Sequence, residues 1–265
     1  MDFTIKTHED LIKSLSETGI PFLTFSEYLQ KKDGSFIMLR HDVEQRYENA
    51  LEFAKIQHTF KVKGTYFFRI LKNHFKADIV KQIAGLGHEV GYHYDDLAQS
   101  KGDFKKAIKR FEKHLNLLRN IAPVETICMD GSPLSKYDNK SLWDKYNYRD
   151  FGIIGEPYFD IDFKDILYLT DTGRCWDGER YSIRDKVNSS INKFNFHSTK
   201  DIIKAINNKK VLSNFPERSR RGVEVPERAM FTFHPQRWND KMMPWLTELV
   251  LQNVKNQVKK VWIKR

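Results

Sequence analysis

Five short polar clusters hold most of the residues able to do chemistry. The first is Arg40-His41-Asp42-Val43-Glu44. On an extended chain Asp42 and Glu44 share one side and His41 takes the other. Two carboxylates beside an imidazole can bind a hard or borderline metal ion or work as acid and base; the same acids also suit the start of a helix. The second cluster runs from Gly87 to Asp96 and contains His88 and His93. Five residues apart on a strand, these two point oppositely, so they are not expected to share one ion, and a lone histidine there suits a structural role as well as a ligand. Gly87 and Gly91 argue for close backbone packing there. The third cluster is Cys128-Met129-Asp130-Gly131-Ser132-Pro133. Asp130 suits a metal ligand or an Asx turn, and Ser132 lacks the Gly-x-Ser-x-Gly elbow of a serine nucleophile. The fourth, from Thr170 to Asp177, carries Asp171, Arg174 and Trp176, and the last carries His234, Arg237 and Trp238. Aromatic faces beside charged groups suit sugar stacking, with Asp171, Arg174, Trp176, Arg237 and Trp238 as substrate contacts, and suit a packed loop equally well.

Elements of alternating type must position these clusters. Phe36-Ile37-Met38-Leu39 reads as a strand ending at the first cluster, and Ala50, Phe53 and Ala54 as a helical face after it. A strand over 64–68 and a helix through Ile79, Val80, Ile83 and Leu86 follow, the helix stopping at Gly87. Residues 88–93 read as a strand. The clearest helix is 103–120, where Phe104, Ala107, Ile108, Phe111, Leu115 and Leu118 form one stripe. Strands over 124–129, 166–169 and 230–233 run into the last three clusters, and Leu246, Leu249, Val250 and Val254 mark a C-terminal helix. Strand–helix alternation predicts an α/β fold with a parallel sheet, and in such sheets the C-terminal strand ends carry the chemistry.

Composition narrows the class. In 265 residues, 40% are hydrophobic and two are cysteines, which excludes disordered, collagen-like and disulfide-framework proteins. Forty-five Lys and Arg against 35 Asp and Glu leave a net charge of +10, which admits nucleic acid, an acidic membrane surface or an anionic substrate as partner. A nucleic-acid binder needs a clustered basic stripe with stacked aromatics, and no such motif occurs. The start is polar and acidic, unlike a secretory signal. No apolar run spans a bilayer, and no Walker or dinucleotide glycine signature is present. A cytoplasmic protein with no transmembrane segment is expected. A basic stretch over 213–228, with Arg218, Arg220 and Arg221, is expected to be a loop facing an anionic substrate.

Taken in order, the five clusters resemble the motifs of the polysaccharide deacetylase (NodB-homology) superfamily of carbohydrate esterases. The nearest resemblance is to a divergent subgroup with a Leu-Arg-His-Asp-Val-Asp start, and it extends over about 36–238. It implies one NodB-like catalytic domain over 1–265, with a helical extension over 1–35, in a distorted, incomplete (β/α) barrel. It also implies metal-dependent removal of acyl groups from a sugar, a surface-polysaccharide precursor or a nucleotide- or lipid-linked sugar. The implied cofactor is a divalent metal, zinc first. Its ligands would be drawn from Asp42, Glu44, His93 and Asp130, with His41 or Asp42 as base and His234 as acid. This chain departs from the pattern in three places. His41-Asp42 replaces adjacent aspartates, Leu97 stands where a second metal-binding histidine belongs, and Asp130-Gly131-Ser132-Pro133 replaces an Arg-x-Pro motif. A carbohydrate-binding protein without activity is the alternative that these departures suggest.

Overall fold

The computed structural model of the protein describes residues 1–71, 73–176, 184, 187–189, 194, 196–212 and 227–263, with 258–263 as backbone only. The strands are β1 (Phe22–Leu23), β2 (Phe36–Val43), β3 (Thr65–Phe68), β4 (Glu89–Tyr94), β5 (Ile127–Met129), β6 (Leu167–Thr170) and β7 (Arg228–Phe233). All pair in parallel in the order β5-β4-β3-β2-β7-β6, with β1 alongside the start of β2. Among the described residues β5 and β6 do not pair with each other. The sheet is an open half-barrel with helices flanking it, the incomplete (β/α) barrel expected from the motifs.

Period-two alternation sorts the strand residues into two layers. Phe36, Met38, Phe67, Cys128, Tyr168 and Met230 fill the concave interior. Ile37, Leu39, Phe231 and Phe233 face outward under α1 (Ile5–Ser16), α3 (Tyr47–Thr59) and α8 (Thr199–Asn207), with the short helices α2 (Phe25–Gln30), α5 (Asp96–Gln99) and α7 (Pro157–Asp160) in the connections between strands. The other end packs Val90, Tyr92 and Ile127 under α4 (Ala77–Gly85) and α6 (Phe104–Arg119). Helix α6 forms where its stripe predicts, capped by the Asp103 side chain on the Lys106 amide. The C-terminal helix spans Met242–Ile263.

Residues 1–35 are more than an appended helix. Leu11 and Leu15 of α1 share a core with Ile37 and Leu39 of β2, and β1 joins the sheet. The basic stretch falls almost wholly outside the described residues, so Arg218, Arg220 and Arg221 are not placed.

Candidate active site

Continuing the interior alternation past the apolar layer brings in Arg40 and Asp42 from β2 and His93 from β4. Asp130 follows β5, Asp171 follows β6 and His234 follows β7. All except Asp171 line one cavity of about 860 Å³ at the C-terminal strand ends, together with Glu44, Arg69 and Tyr158. His93 and His234 lie on the same end of the sheet, as the motif placement requires.

Arg40 and Asp42 sit two apart on one strand face and pair twice, Nε to Oδ1 at 2.8 Å and Nη2 to Oδ2 at 2.7 Å. Arg40 Nη1 also donates to the Tyr158 hydroxyl at 3.1 Å. Burial pushes the Asp42 carboxyl up, but the Arg40 guanidinium, with His93 and His234, more than offsets it and holds Asp42 well below the usual carboxylate range. Asp42 Oδ2 lies 3.9 Å from the Nε2 atoms of both histidines.

Each histidine is oriented from behind. His93 Nδ1 bonds the Cys128 carbonyl oxygen at 3.0 Å. A carbonyl only accepts, so Nδ1 donates this bond and the Nε2 edge of the ring turns towards the carboxylates. His234 Nδ1 donates to Asp171 Oδ1 at 2.5 Å. Asp171 also accepts from the His234 amide and from Trp238 Nε1, with Arg237 Nη1 3.3 Å away. Burial raises the Asp171 carboxyl, and the neighbouring His234 and Arg237 outweigh it, leaving it lowered and ionised.

The residues fit a divalent cation. Glu44, His93 and Asp130 bring ligand atoms within 4.8 Å of one another. Asp130 Oδ2 lies 3.7 Å from His93 Nε2, two potential ligand atoms facing each other across a gap. Arg69 Nη1, 3.4 Å from Asp130 Oδ2 and anchored on Asp95, offsets part of the negative charge and lowers the Asp130 carboxyl against the effect of burial. Asp42 and His93 also come within this span with Cys128, but both Asp42 oxygens already accept from Arg40.

Several expected residues lie elsewhere. His41 points away from the cavity by strand alternation. It stacks on Tyr66 at 4.0 Å and bonds the Thr65 carbonyl and Gln57, and burial lowers its pKa to about 3. It is therefore a neutral core residue and not a base. Trp176 and Trp238 pack in the outer core with Phe3 and Phe233, and Arg174 donates to the Trp245 carbonyl; none of the three lines the cavity. Asp171 stands behind His234, while Arg237 reaches the cavity wall. Leu97 is buried in the hydrophobic core, so its position does not face the cavity. Reading the residues in isolation misses Arg40, Arg69 and Tyr158. The Arg-x-Asp spacing of a strand is the signal that finds Arg40.

No family model and no curated protein sequence matches the chain. Among solved structures it is similar to Bacillus subtilis PdaA, a family 4 carbohydrate esterase, at 14% identity, TM-score 0.39, over 91% of this chain and 82% of that one. It is similar to a Streptococcus mutans CE4 esterase at 14% identity, TM-score 0.41, over 88% and 86%. The match to the Streptococcus pyogenes deacetylase PplD has 14% identity and TM-score 0.41, over 52% of this chain and 66% of that one.

Proposed function

We propose that the chain is a metal-dependent hydrolase that removes an acyl group from a carbohydrate. The observation that carries the reading is the convergence of Asp42 Oδ2 with the Nε2 atoms of His93 and His234, 3.9 Å from each, at the floor of the cavity. Glu44, His93 and Asp130 hold the cation; bound there, it supplies Lewis-acid polarisation of the acyl carbonyl. The donor set, two carboxylates and one imidazole, suits Zn²⁺ and also Mn²⁺ or Co²⁺.

Asp42 acts as general base. Arg40 keeps it ionised and fixes its plane, so it accepts a proton from the attacking water without first losing one of its own. His234 acts as general acid, delivering a proton from Nε2 to the leaving nitrogen or oxygen. Asp171 holds Nδ1–H, which fixes the ring and stabilises the imidazolium form. Net positive cavity walls, with Arg46, Lys101, Lys136 and Arg184, favour an anionic or phosphate-linked sugar over a neutral one.

One observation favours binding without hydrolysis: both Asp42 oxygens are held by Arg40. Acetate release from 4-nitrophenyl acetate and from N-acetylglucosamine oligomers separates the two readings. Stoichiometric Zn²⁺, Mn²⁺ or Co²⁺ uptake that is abolished by His93→Ala, with release reduced roughly 10²–10⁴-fold by Asp42→Asn, supports the hydrolase. Glycan binding with neither uptake nor release replaces it by the binding protein.

A further inference from the structure

The C-terminal helix is amphipathic in the reverse of the usual sense. Its inward row is Trp245, Glu248, Gln252 and Asn256, spaced as one helical face. Trp245 Nε1 donates to the Asp2 carbonyl, Glu248 lies 3.7 Å from Arg46 Nη1, Gln252 donates to Glu248, and Asn256 donates to the Gly173 carbonyl. Glu248 is 8% exposed. The outward row is Met243, Leu246, Val250 and Val254, with Met243 73% and Val250 61% exposed. With Met242 and Leu251, this one helix supplies most of the large exposed apolar side chains among the described residues. A surface helix of a soluble body turns such residues inward, and a contiguous exposed apolar patch marks an interaction surface.

Charge identifies what covers it. From Asp240 onward the sequence holds six cations, Lys241, Lys255, Lys259, Lys260, Lys264 and Arg265, against two acids, the exposed Asp240 at the helix start and Glu248, which faces inward. An apolar stripe in a segment with this excess of cations matches an anionic lipid surface, whose interior accepts the stripe and whose headgroups attract a basic segment. Two copies of this face would instead bring like charges together. No described helix is long and apolar enough to cross a membrane, so the match is to a helix lying on the surface. The same helix walls the cavity through Leu251, Val254 and Lys255, and exposed Leu134 stands on another part of that wall. We infer that the C-terminal helix docks the protein on anionic membranes, holding the cavity beside the lipid surface. This does not depend on the hydrolase reading.

Co-sedimentation of the full chain with phosphatidylcholine vesicles, with and without roughly 30% phosphatidylglycerol, tests it. The expected result is binding to the anionic vesicles at least ~10-fold tighter than to neutral ones, weakening as salt rises. Met243→Gln, Leu246→Gln and Val250→Gln together should lower that binding by a further ~10-fold or more while keeping the helical circular dichroism and melting temperature. Lack of binding to anionic vesicles overturns the inference. So does binding that the triple variant leaves unchanged, since that is attraction of a basic protein alone. A dimer by light scattering that the triple variant dissociates, with no vesicle binding, assigns the stripe to a second copy.

Discussion

At the residue scale, the feature that governs the site is a buried ion pair formed within three residues of one strand. Breaking such a pair by removing one partner costs about 3–5 kcal/mol, because the other charge stays buried and alone. Arg40→Met is therefore expected to destabilise the fold by that order, read from the urea midpoint. It should also change the rate profile. Arg40 is the largest influence holding the Asp42 carboxyl down against burial. Without it the carboxyl moves up, so with Asp42 as the proposed base the acidic limb of kcat/KM shifts to higher pH. A limb that does not move would show that Asp42 is not the base. The neighbouring His41 carries the opposite lesson. Beside a carboxylate in sequence it reads as chemistry; on a strand the next residue faces the other way, and Gln57 and Tyr66 enclose it.

At the element scale, β4 delivers His93 by running tight against its neighbour. A Cβ on Gly91 would overlap the Phe67 ring and meet the Thr126 carbonyl oxygen at 3.0 Å. Neither a central ring at 0% exposure nor a backbone oxygen yields easily. Gly91→Ala is expected to destabilise by roughly 1–3 kcal/mol, lowering the melting temperature by roughly 2–4 °C per kcal/mol, and to weaken metal uptake by displacing His93. Unchanged melting and uptake would show that β4 has room. Much of this layout was legible: the α6 stripe, the strand exits and the order of the clusters follow from periodicity. The apolar pattern of β2 ends at Leu39, because Arg40-His41-Asp42 is polar throughout. The strand itself continues to Val43, since Arg40 and Asp42 neutralise each other on one side of the pleat while His41 finds hydrogen bonds on the other. The two-residue β1 carries no pattern long enough to see, and the tryptophans of the last clusters look the same as sugar platforms whether they stack outward or pack inward.

At the scale of the whole molecule, buried titratable groups pull in two directions. Burial lowers His41 to about 3 and His88 to about 4. Below about 6.5 the unfolded chain takes up these protons and the folded one does not, so stability falls as pH falls towards 3–4. Burial raises Glu156 and Asp96 to about 7. There the folded chain takes up the proton first, so stability rises as pH falls from 7 towards the ordinary carboxylate range. The two effects oppose between pH 6.5 and 4.5. Glu156→Gln removes part of the compensation, and its stability is expected to decline on acidification through this window by on the order of 1–3 kcal/mol more than the parent's, measured as urea midpoints at successive pH values. Equal slopes would show that Glu156 does not take up a proton on folding. The order of the strands has a consequence in time. β7 is last in sequence but lies between β2 and β6 in the sheet. During synthesis at ~5–20 residues per second, the Phe36–His41 edge of β2 waits roughly 10–40 s for its partner. Through that interval the nascent chain presents an open strand edge, the kind of surface that other chains join. His234 follows the strand that closes the edge, so the residue proposed as the acid and the cover for that edge arrive in one event.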